Sequence, residues 1–82
     1  MSDLSNVNAA STIDSRGSAC PGPLLEAKKG IGKVKVGEIL EVYSNDEGTR
    51  IDLKAWANKV GHEYMGFNEA DGYDKHFITR KK

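Results

Sequence analysis

The chain has 82 residues, enough for one small domain that buries roughly 60–65% of the surface its unfolded form exposes. Twelve basic and twelve acidic residues give a formal net charge of zero, so bulk charge offers no argument for a nucleic-acid or membrane partner. Hydrophobic residues make up 38% and charged residues 29%, a balance typical of a folded globular domain rather than a disordered chain.

Cysteine usage and the first residues indicate a compartment. Cys20 is the single cysteine, which excludes an internal disulfide and favours a reducing environment. Residues 1–10 lack the basic and apolar regions of a secretory signal, and no run approaches the ~20 apolar residues of a membrane span. We therefore expect a cytoplasmic protein, with residues 1–9 as a flexible leader and residues 10–82 as a single domain.

The first half of the chain predicts a strand, a helix and a second strand. Residues 10–14 are compatible with a short β-strand. After Pro21, apolar residues recur at helical spacing: Leu24, Ala27 and Ile31. Residues 34–36 alternate as a strand would, and residues 39–44 are almost continuously apolar and β-branched, which predicts an inner strand.

The second half predicts a helix followed by a β-hairpin. Residues 49–52 have the form of a capping box, and Asp46 is a rival N-cap one turn earlier. An apolar stripe of helical spacing follows, formed by Leu53, Trp56, Ala57 and Val60, and Gly61 is placed to end the helix. Two β-compatible runs then flank the glycine-containing turn at residues 69–72. The order βαβαββ predicts an α+β fold, a two-layer sandwich with two helices on one face of a four-stranded mixed sheet.

Cys20 is the main candidate for chemistry. Pro21 suits the first turn of a helix, so Cys20 is expected as the N-cap, where free amide hydrogens and the helix dipole stabilise a thiolate. Arg16 could add a cationic neighbour, and Gly22 leaves the sulfur open. The alternative is a small buried cysteine, as most free cysteines are, but Pro21 and Pro23 stiffen this junction and favour a functional role.

Other kinds of site are less well supported. His62 and His76 are expected at the surface, which leaves no partner for a Cys-His catalytic pair. One cysteine and two scattered histidines fall short of any standard zinc spacing, so we expect no metal and no cofactor. Asp46 and Glu47 suit a helix N-terminus rather than an acid–base pair, and Trp56 and the hairpin aromatics suit core packing.

The first helix carries a basic exposed face that could recognise an acidic partner protein. Its members are Lys28, Lys29 and Lys33. A solvated face is the ordinary explanation of such a charge run, and its position next to Cys20 is what suggests a partner.

Several of these residues together resemble the TusA family of sulfur carriers, also called SirA-like. The resemblance rests on Asp14, Arg16 and Gly17, on the Cys20-Pro21-Gly22-Pro23 motif, on Gly37-Glu38, and on Asp46 and Arg50. It implies that Cys20 carries sulfur as a persulfide. The protein would then act as a sulfurtransferase-type persulfide carrier more than as an enzyme with catalytic turnover. It also implies that Arg16, Gly17, Asp46 and Arg50 surround the site.

The resemblance further implies protein partners. The donor would be a cysteine desulfurase or a rhodanese-type protein, and the acceptor a DsrE-type or Tus relay protein serving tRNA thiolation, molybdenum-cofactor synthesis or sulfur metabolism. We expect a monomer that contacts neither nucleic acid nor membrane. Two alternatives stay open: a regulatory or protein-interaction module of the same fold in which Cys20 is idle, and a small RNA-binding domain, which the neutral charge disfavours.

Overall fold

Strands and helices follow the predicted order in a computed structural model that describes residues 9–17 and 22–82. The elements are β1 (Ser11–Asp14), α1 (Gly22–Ile31), β2 (Ile39–Ser44), α2 (Gly48–Val60), β3 (Glu63–Glu69) and β4 (Asp74–Thr79). The βαβαββ order and the α+β class are confirmed. The leader expected over residues 1–9 lies almost wholly outside the described residues.

The four strands form one mixed sheet in the order β1-β2-β4-β3. β1 pairs with β2 in parallel, and β4 pairs antiparallel with both β2 and β3. β2 and β4 are therefore central, which confirms the inner strand predicted at residues 39–44. Because β1 and β2 are parallel, their carboxyl ends lie at the same edge of the sheet, and the chain leaves that edge twice to begin a helix.

The core lies between the sheet and the two helices. Leu40 and Val42 alternate along β2 and are fully buried, together with Ile78 of β4, which pairs with Leu40. The two helices contribute further buried side chains to this cluster, namely Ala27, Ile31, Leu53 and Ala57. Val34, in the connection before β2, belongs to it as well. Leu24, Trp56 and Tyr64 are partly buried against it, so the predicted apolar stripes face the core except at Val60, which is 39% exposed at the end of α2.

Two local predictions were wrong. The residues from Val34 to Val36 form no strand: Val34 is buried in the core, whereas Val36 is 62% exposed, and turns surround them. The capping box at residues 49–52 is absent because α2 begins at Gly48, which places Thr49 inside the first turn, where it is fully buried. The N-cap position is Glu47, whose side chain makes no capping hydrogen bond, and the carboxylate of the rival candidate Asp46, one residue earlier, accepts the Gly48 N–H at 2.9 Å.

The end of α2 follows the sequence pattern. Gly61 has a left-handed backbone, with φ of 91°, and its N–H bonds to the Ala57 carbonyl at 3.0 Å. Glycine is the residue that adopts this conformation without steric cost. Within the parts of the chain that the structure describes, neither helix has the length and apolarity needed to cross a membrane.

Candidate functional site

The candidate site lies between the end of β1 and the start of α1. β1 ends at Asp14 and α1 begins at Gly22, two positions after Cys20 in the chain. Cys20 and Pro21 themselves lie outside the described residues, so the predicted N-cap is neither confirmed nor contradicted. Pro23 is buried in the first turn of α1, and Gly22 is its first residue.

Asp14 and Arg16 form a compact ion pair on the path from β1 toward Cys20. The Arg16 side chain donates to both carboxylate oxygens, at 2.8 Å from Nε and 2.6 Å from Nη2, and its backbone N–H donates at 3.1 Å. Hydrogen bonds from the Arg16 side chain and then from its backbone lower the pKa of Asp14 to about 2. The pair therefore stays charged over the whole physiological range.

Two tyrosine rings face the Arg16 guanidinium. Its Cζ lies 4.7 Å from the ring centroid of Tyr73 and 5.6 Å from that of Tyr43, and the two rings are 5.3 Å apart. Cation–π contact at these distances adds to the ion pair in fixing the side chain. The structure thus places Arg16 against Asp14 and two aromatic rings, which settles its orientation.

Gly17 connects this turn to the loop that joins β2 to α2. Its N–H donates to the Asn45 Oδ1 at 3.0 Å, and its φ of 87° lies in the left-handed region. Two residues before Gly17, the Ser15 N–H donates to the Tyr43 carbonyl at 2.9 Å, which ties the same turn to β2. Sequence reasoning missed Asn45, because an asparagine after a strand is an ordinary loop residue and nothing in the pattern links it to Gly17.

The β2–α2 loop is itself held by several hydrogen bonds. The buried Ser44 hydroxyl accepts the Asp46 N–H at 3.1 Å and donates to Thr49 Oγ1 at 3.0 Å. The Asp46 carboxylate and carbonyl accept the N–H groups of Gly48 and Thr49. Asp46, which the resemblance placed near the site, acts here as an organiser of the turn that carries Asn45.

Arg50 lies on α2 and is bound to the hairpin. It donates to both carboxylate oxygens of Asp74, at 2.8 and 3.0 Å, and to Glu69 at 3.5 Å, and its Cζ is 4.4 Å from the ring centroid of Phe67. Bidentate pairing with a buried carboxylate fixes the guanidinium. The side chain therefore ties α2 to β4.

A polar cleft of about 270 Å³ lies between this part of α2 and the hairpin turn. Its lining includes Asn45, Arg50, Tyr73 and Asp74. Arg50 therefore lines the same cleft as Asn45, whose side chain accepts the Gly17 N–H. It also adds Tyr73, which contacts Arg16, to the surroundings that the sequence identified.

His76 is fully buried, so the prediction of a surface histidine was wrong. β4 is paired on both edges, and its helix-facing residues Asp74, His76 and Ile78 are all buried. Burial lowers the pKa of His76 to about 4, against an opposing effect of Asp74. The imidazole is neutral at pH 7, and its Nδ1 lies 2.8 Å from the Tyr64 hydroxyl.

The positions predicted to bind a partner are open to solvent. Lys28 and Lys29 are exposed in the last turn of α1, and Lys33 is exposed just after it. Leu25 on the same helix is 49% exposed. Among the described residues, no group of three or more histidine, cysteine or acidic side chains is arranged to hold a metal.

Comparison with known proteins identifies the family. The sequence matches the family model of sulfurtransferase TusA over residues 11–80. A solved SirA-like protein from Desulfitobacterium hafniense has the same fold, with a TM-score of 0.77 and 27% identity, and the match covers 88% of this chain and 99% of that one.

Curated relatives agree with this match. YrkF of Bacillus subtilis strain 168, provisionally named a sulfur carrier protein, is 41% identical over 75 residues, which are 90% of this chain but only 40% of YrkF. A protein of Archaeoglobus fulgidus with the same provisional name is 40% identical, over 85% of this chain and 96% of its own length. The sulfur carrier protein TusA of Allochromatium vinosum is 36% identical, over 84% of this chain and 90% of its own. The chain belongs to the TusA family.

Proposed function

We propose that this protein is a sulfur carrier that holds sulfane sulfur as a persulfide on Cys20 and relays it between two proteins. Sulfur-carrier relatives that match over most of their length support the carrier role. The observation that carries the assignment to Cys20 is its place in the chain: it is the only cysteine, and it stands two residues before α1.

The chemistry requires one thiolate and no outside oxidant or reductant. The Cys20 thiolate forms a bond to the terminal sulfur of a donor persulfide, the donor's S–S bond breaks, and the donor cysteine sulfur leaves as a thiolate. The S–H proton of the transferred sulfur passes to that leaving thiolate, so Cys20 holds an anionic persulfide. The sulfane sulfur keeps its oxidation level as it moves. Repeating the same exchange with an acceptor thiolate returns Cys20 to its free form.

The start of α1 suits this exchange. The first N–H groups of a helix have no partner within the helix, and the dipole adds positive potential there, so both favour an anionic sulfur. α1 has ten residues, and no acidic side chain lies in its first turn to offset that potential. Lys28 and Lys29 stand two turns further on, where an acidic partner surface could contact them.

We propose that a cysteine desulfurase or a rhodanese-type protein supplies the sulfur and that a DsrE-type or Tus relay protein accepts it. Protein partners follow from the role of a carrier, and the particular classes follow from the family resemblance. A single cysteine that must stay reduced suits the cytoplasm. In this proposal Arg16, Gly17, Asp46 and Arg50 support the site, and no bound cofactor takes part.

Labelled sulfur tests the relay. The protein is incubated with a cysteine desulfurase and ³⁵S-cysteine, repurified, and then mixed with a DsrE-type protein. We expect label on the wild type that dithiothreitol releases, label passed to the acceptor, and no label on Cys20→Ser. Equal label on wild type and Cys20→Ser, or label that no acceptor thiol removes, would show that Cys20 is not a relay site.

A further inference from the structure

We infer that β3 and α2 together bind an extended peptide segment of a partner protein, which adds a strand to the free edge of β3 and places one apolar and one acidic side chain in the groove beside it. β3 stands at the end of the strand order and pairs with β4 alone among the described strands. A free strand edge presents unpaired N–H and C=O groups, which are a template for pairing with another chain. This binding involves no sulfur transfer and goes beyond the proposed carrier role.

The groove lies between β3 and the neighbouring face of α2. Its volume is about 760 Å³, within the range of sites that hold a ligand. The α2 residues that line it lie on one face of the helix, because they recur at spacings of three and four: Arg50, Ile51, Lys54, Ala55 and Asn58. No described residue of β4 lines the groove, so it opens beside the free edge of β3.

A bulge shapes the strand side of the groove. The register of β3 against β4 shifts between Tyr64 and Gly66, so that Tyr64 pairs with Ile78 and Phe67 pairs with His76. In a regular strand, two residues three positions apart point to opposite faces, whereas the extra residue of a bulge brings them to the same face. Both aromatic rings therefore lie on the helix side of the sheet and line the groove together with Gly66.

The groove combines apolar surface with an available cation. Ile51 is 74% exposed and lines it next to the exposed Ala55. The Arg50 guanidinium is already paired with Asp74, but Lys54 is exposed and takes part in none of the ion pairs among the described residues. None of the described lining residues is acidic. An aliphatic side chain and a carboxylate are therefore the complementary groups.

The charges at the two ends of β3 disfavour a second copy of this chain as the occupant. Antiparallel pairing of two β3 strands about Gly66 would set Glu63 of each copy opposite Glu69 of the other, and like charges directly opposite each other destabilise a strand pair. Their ion-pair contacts with Lys81 and Arg50 are long, at 3.5 Å each. A strand of different sequence therefore fits this edge better than an identical one.

Synthetic peptides test the groove without a partner protein. Each peptide is capped at both ends, matches β3 in length, and consists of threonine apart from one leucine and one glutamate. In the first peptide these two residues stand two positions apart, in either order, so that both side chains point to the same face of a strand. In the second they are adjacent and point to opposite faces. The third is the first peptide with lysine in place of glutamate.

NMR titration should show the first peptide binding about tenfold more tightly than the second or the third, because it alone places both groups in the groove. Signals of residues 63–69 and of the groove face of α2 should shift, and amides on the free edge of β3 should exchange more slowly in the complex. Lys54→Glu should weaken binding of the first peptide about tenfold and strengthen binding of the third. Lys59→Glu, on an exposed position of α2 outside the groove lining, should match the wild type.

Backbone methylation tests the added strand itself. Neighbouring N–H groups of a strand point to opposite edges, so methylating the nitrogens of leucine and glutamate blocks one edge of the first peptide, and methylating those of the threonines blocks the other. One methylated peptide should lose binding and the other should keep it. Equal binding of both methylated peptides, no binding of the first peptide, or unchanged affinity in Lys54→Glu would overturn the inference. A wild-type dimer whose free-edge β3 amides are already protected would also overturn it, since a second copy would then hold this edge.

Discussion

The imidazole of His76 takes its chemistry from the residues around it. It is fully buried between Tyr64 and Phe67, with ring centroids 6.0 and 5.5 Å away. Its Nε2 lies 4.0 Å from Asp74 and has no hydrogen-bond partner, so charging the ring would place a cation in a poorly solvated position. His76 therefore belongs to the core, and its titration should appear in stability rather than in catalysis.

Stability should fall as the pH drops below 6.5. The folded pKa of His76 is about 4 and the unfolded value is 6.5, so the unfolded chain binds the proton first. We expect a loss of about 2 kcal/mol in the free energy of unfolding between pH 7 and pH 5 from this residue. Urea titrations at the two pH values measure it.

His76→Gln is the matched variant, because glutamine can still accept the Tyr64 hydroxyl bond without titrating. Its unfolding free energy should change by much less than that of the wild type over the same interval. His62, whose pKa burial also lowers, acts in the same direction and remains in both proteins. Equal pH dependence in the two proteins would show that His76 is not the group responsible.

At the scale of elements, the contact between α1 and β1 sets how closely a helix can lie on the sheet. Gly30 is buried in the last turn of α1, and a Cβ there would collide with Ile13 Cδ1 and come within 3.2 Å of Leu40 Cδ1. The glycine that weakens the helix by propensity is thus needed where the helix meets the sheet. This close approach holds the end of α1 against β1 and β2.

Replacing Gly30 by alanine should destabilise the protein although alanine favours the helix. Rotation of Ile13 Cδ1 would not clear the added Cβ, because Ile13 Cγ1 at 3.3 Å and the fully buried Leu40 at 3.2 Å also crowd it. Overpacking typically costs more than the gain in propensity of about 1 kcal/mol, so we expect a net loss of about 1 kcal/mol. Gly32→Ala is the control, since its nearest atom would be the Lys29 carbonyl oxygen at 3.6 Å. Chemical denaturation compares the two, and a stabilised Gly30→Ala protein would contradict the packing described.

The sequence predicted a helix or strand correctly where the residues that determine it lie close together in the chain. The β2 strand, the hairpin and the glycine stop of α2 follow from runs and punctuation that lie within a few residues. The start of α2 could not be predicted in this way. Thr49 is hydrogen-bonded to Ser44 in the core, but in the sequence its polar side chain has the pattern of a helix cap. His76 and Asn45 were misread or missed for a related reason: each is defined by a neighbouring strand or loop that is distant in sequence.

Over the whole molecule, acidic and basic side chains are equal in number but unevenly distributed along the chain. The exposed lysines of α1 and its following turn lie after Cys20 in the chain, and exposed Leu25 lies on the same helix. Exposed cations on one face would steer a partner that presents complementary acidic groups. This face and the Cys20 segment together would form the surface that a partner meets first.

Reversing that charge should slow sulfur uptake without affecting the fold. Lys28→Glu with Lys29→Glu should reduce the initial rate of loading by a desulfurase about fivefold at low salt, with a smaller effect as salt screens the charges. Lys54→Glu with Lys59→Glu on α2 makes the same charge change on another exposed surface. Equal slowing by both pairs would indicate a general effect of net charge rather than a docking face on α1.

Intact-mass spectrometry of the protein after incubation with a cysteine desulfurase and cysteine tests the central claim most directly. A persulfide on Cys20 adds one sulfur, an increase of about 32 Da that dithiothreitol removes. The account predicts this increase for the wild type and none for Cys20→Ser. A wild-type mass that stays unchanged while the desulfurase is active, or the same increase in Cys20→Ser, would contradict it.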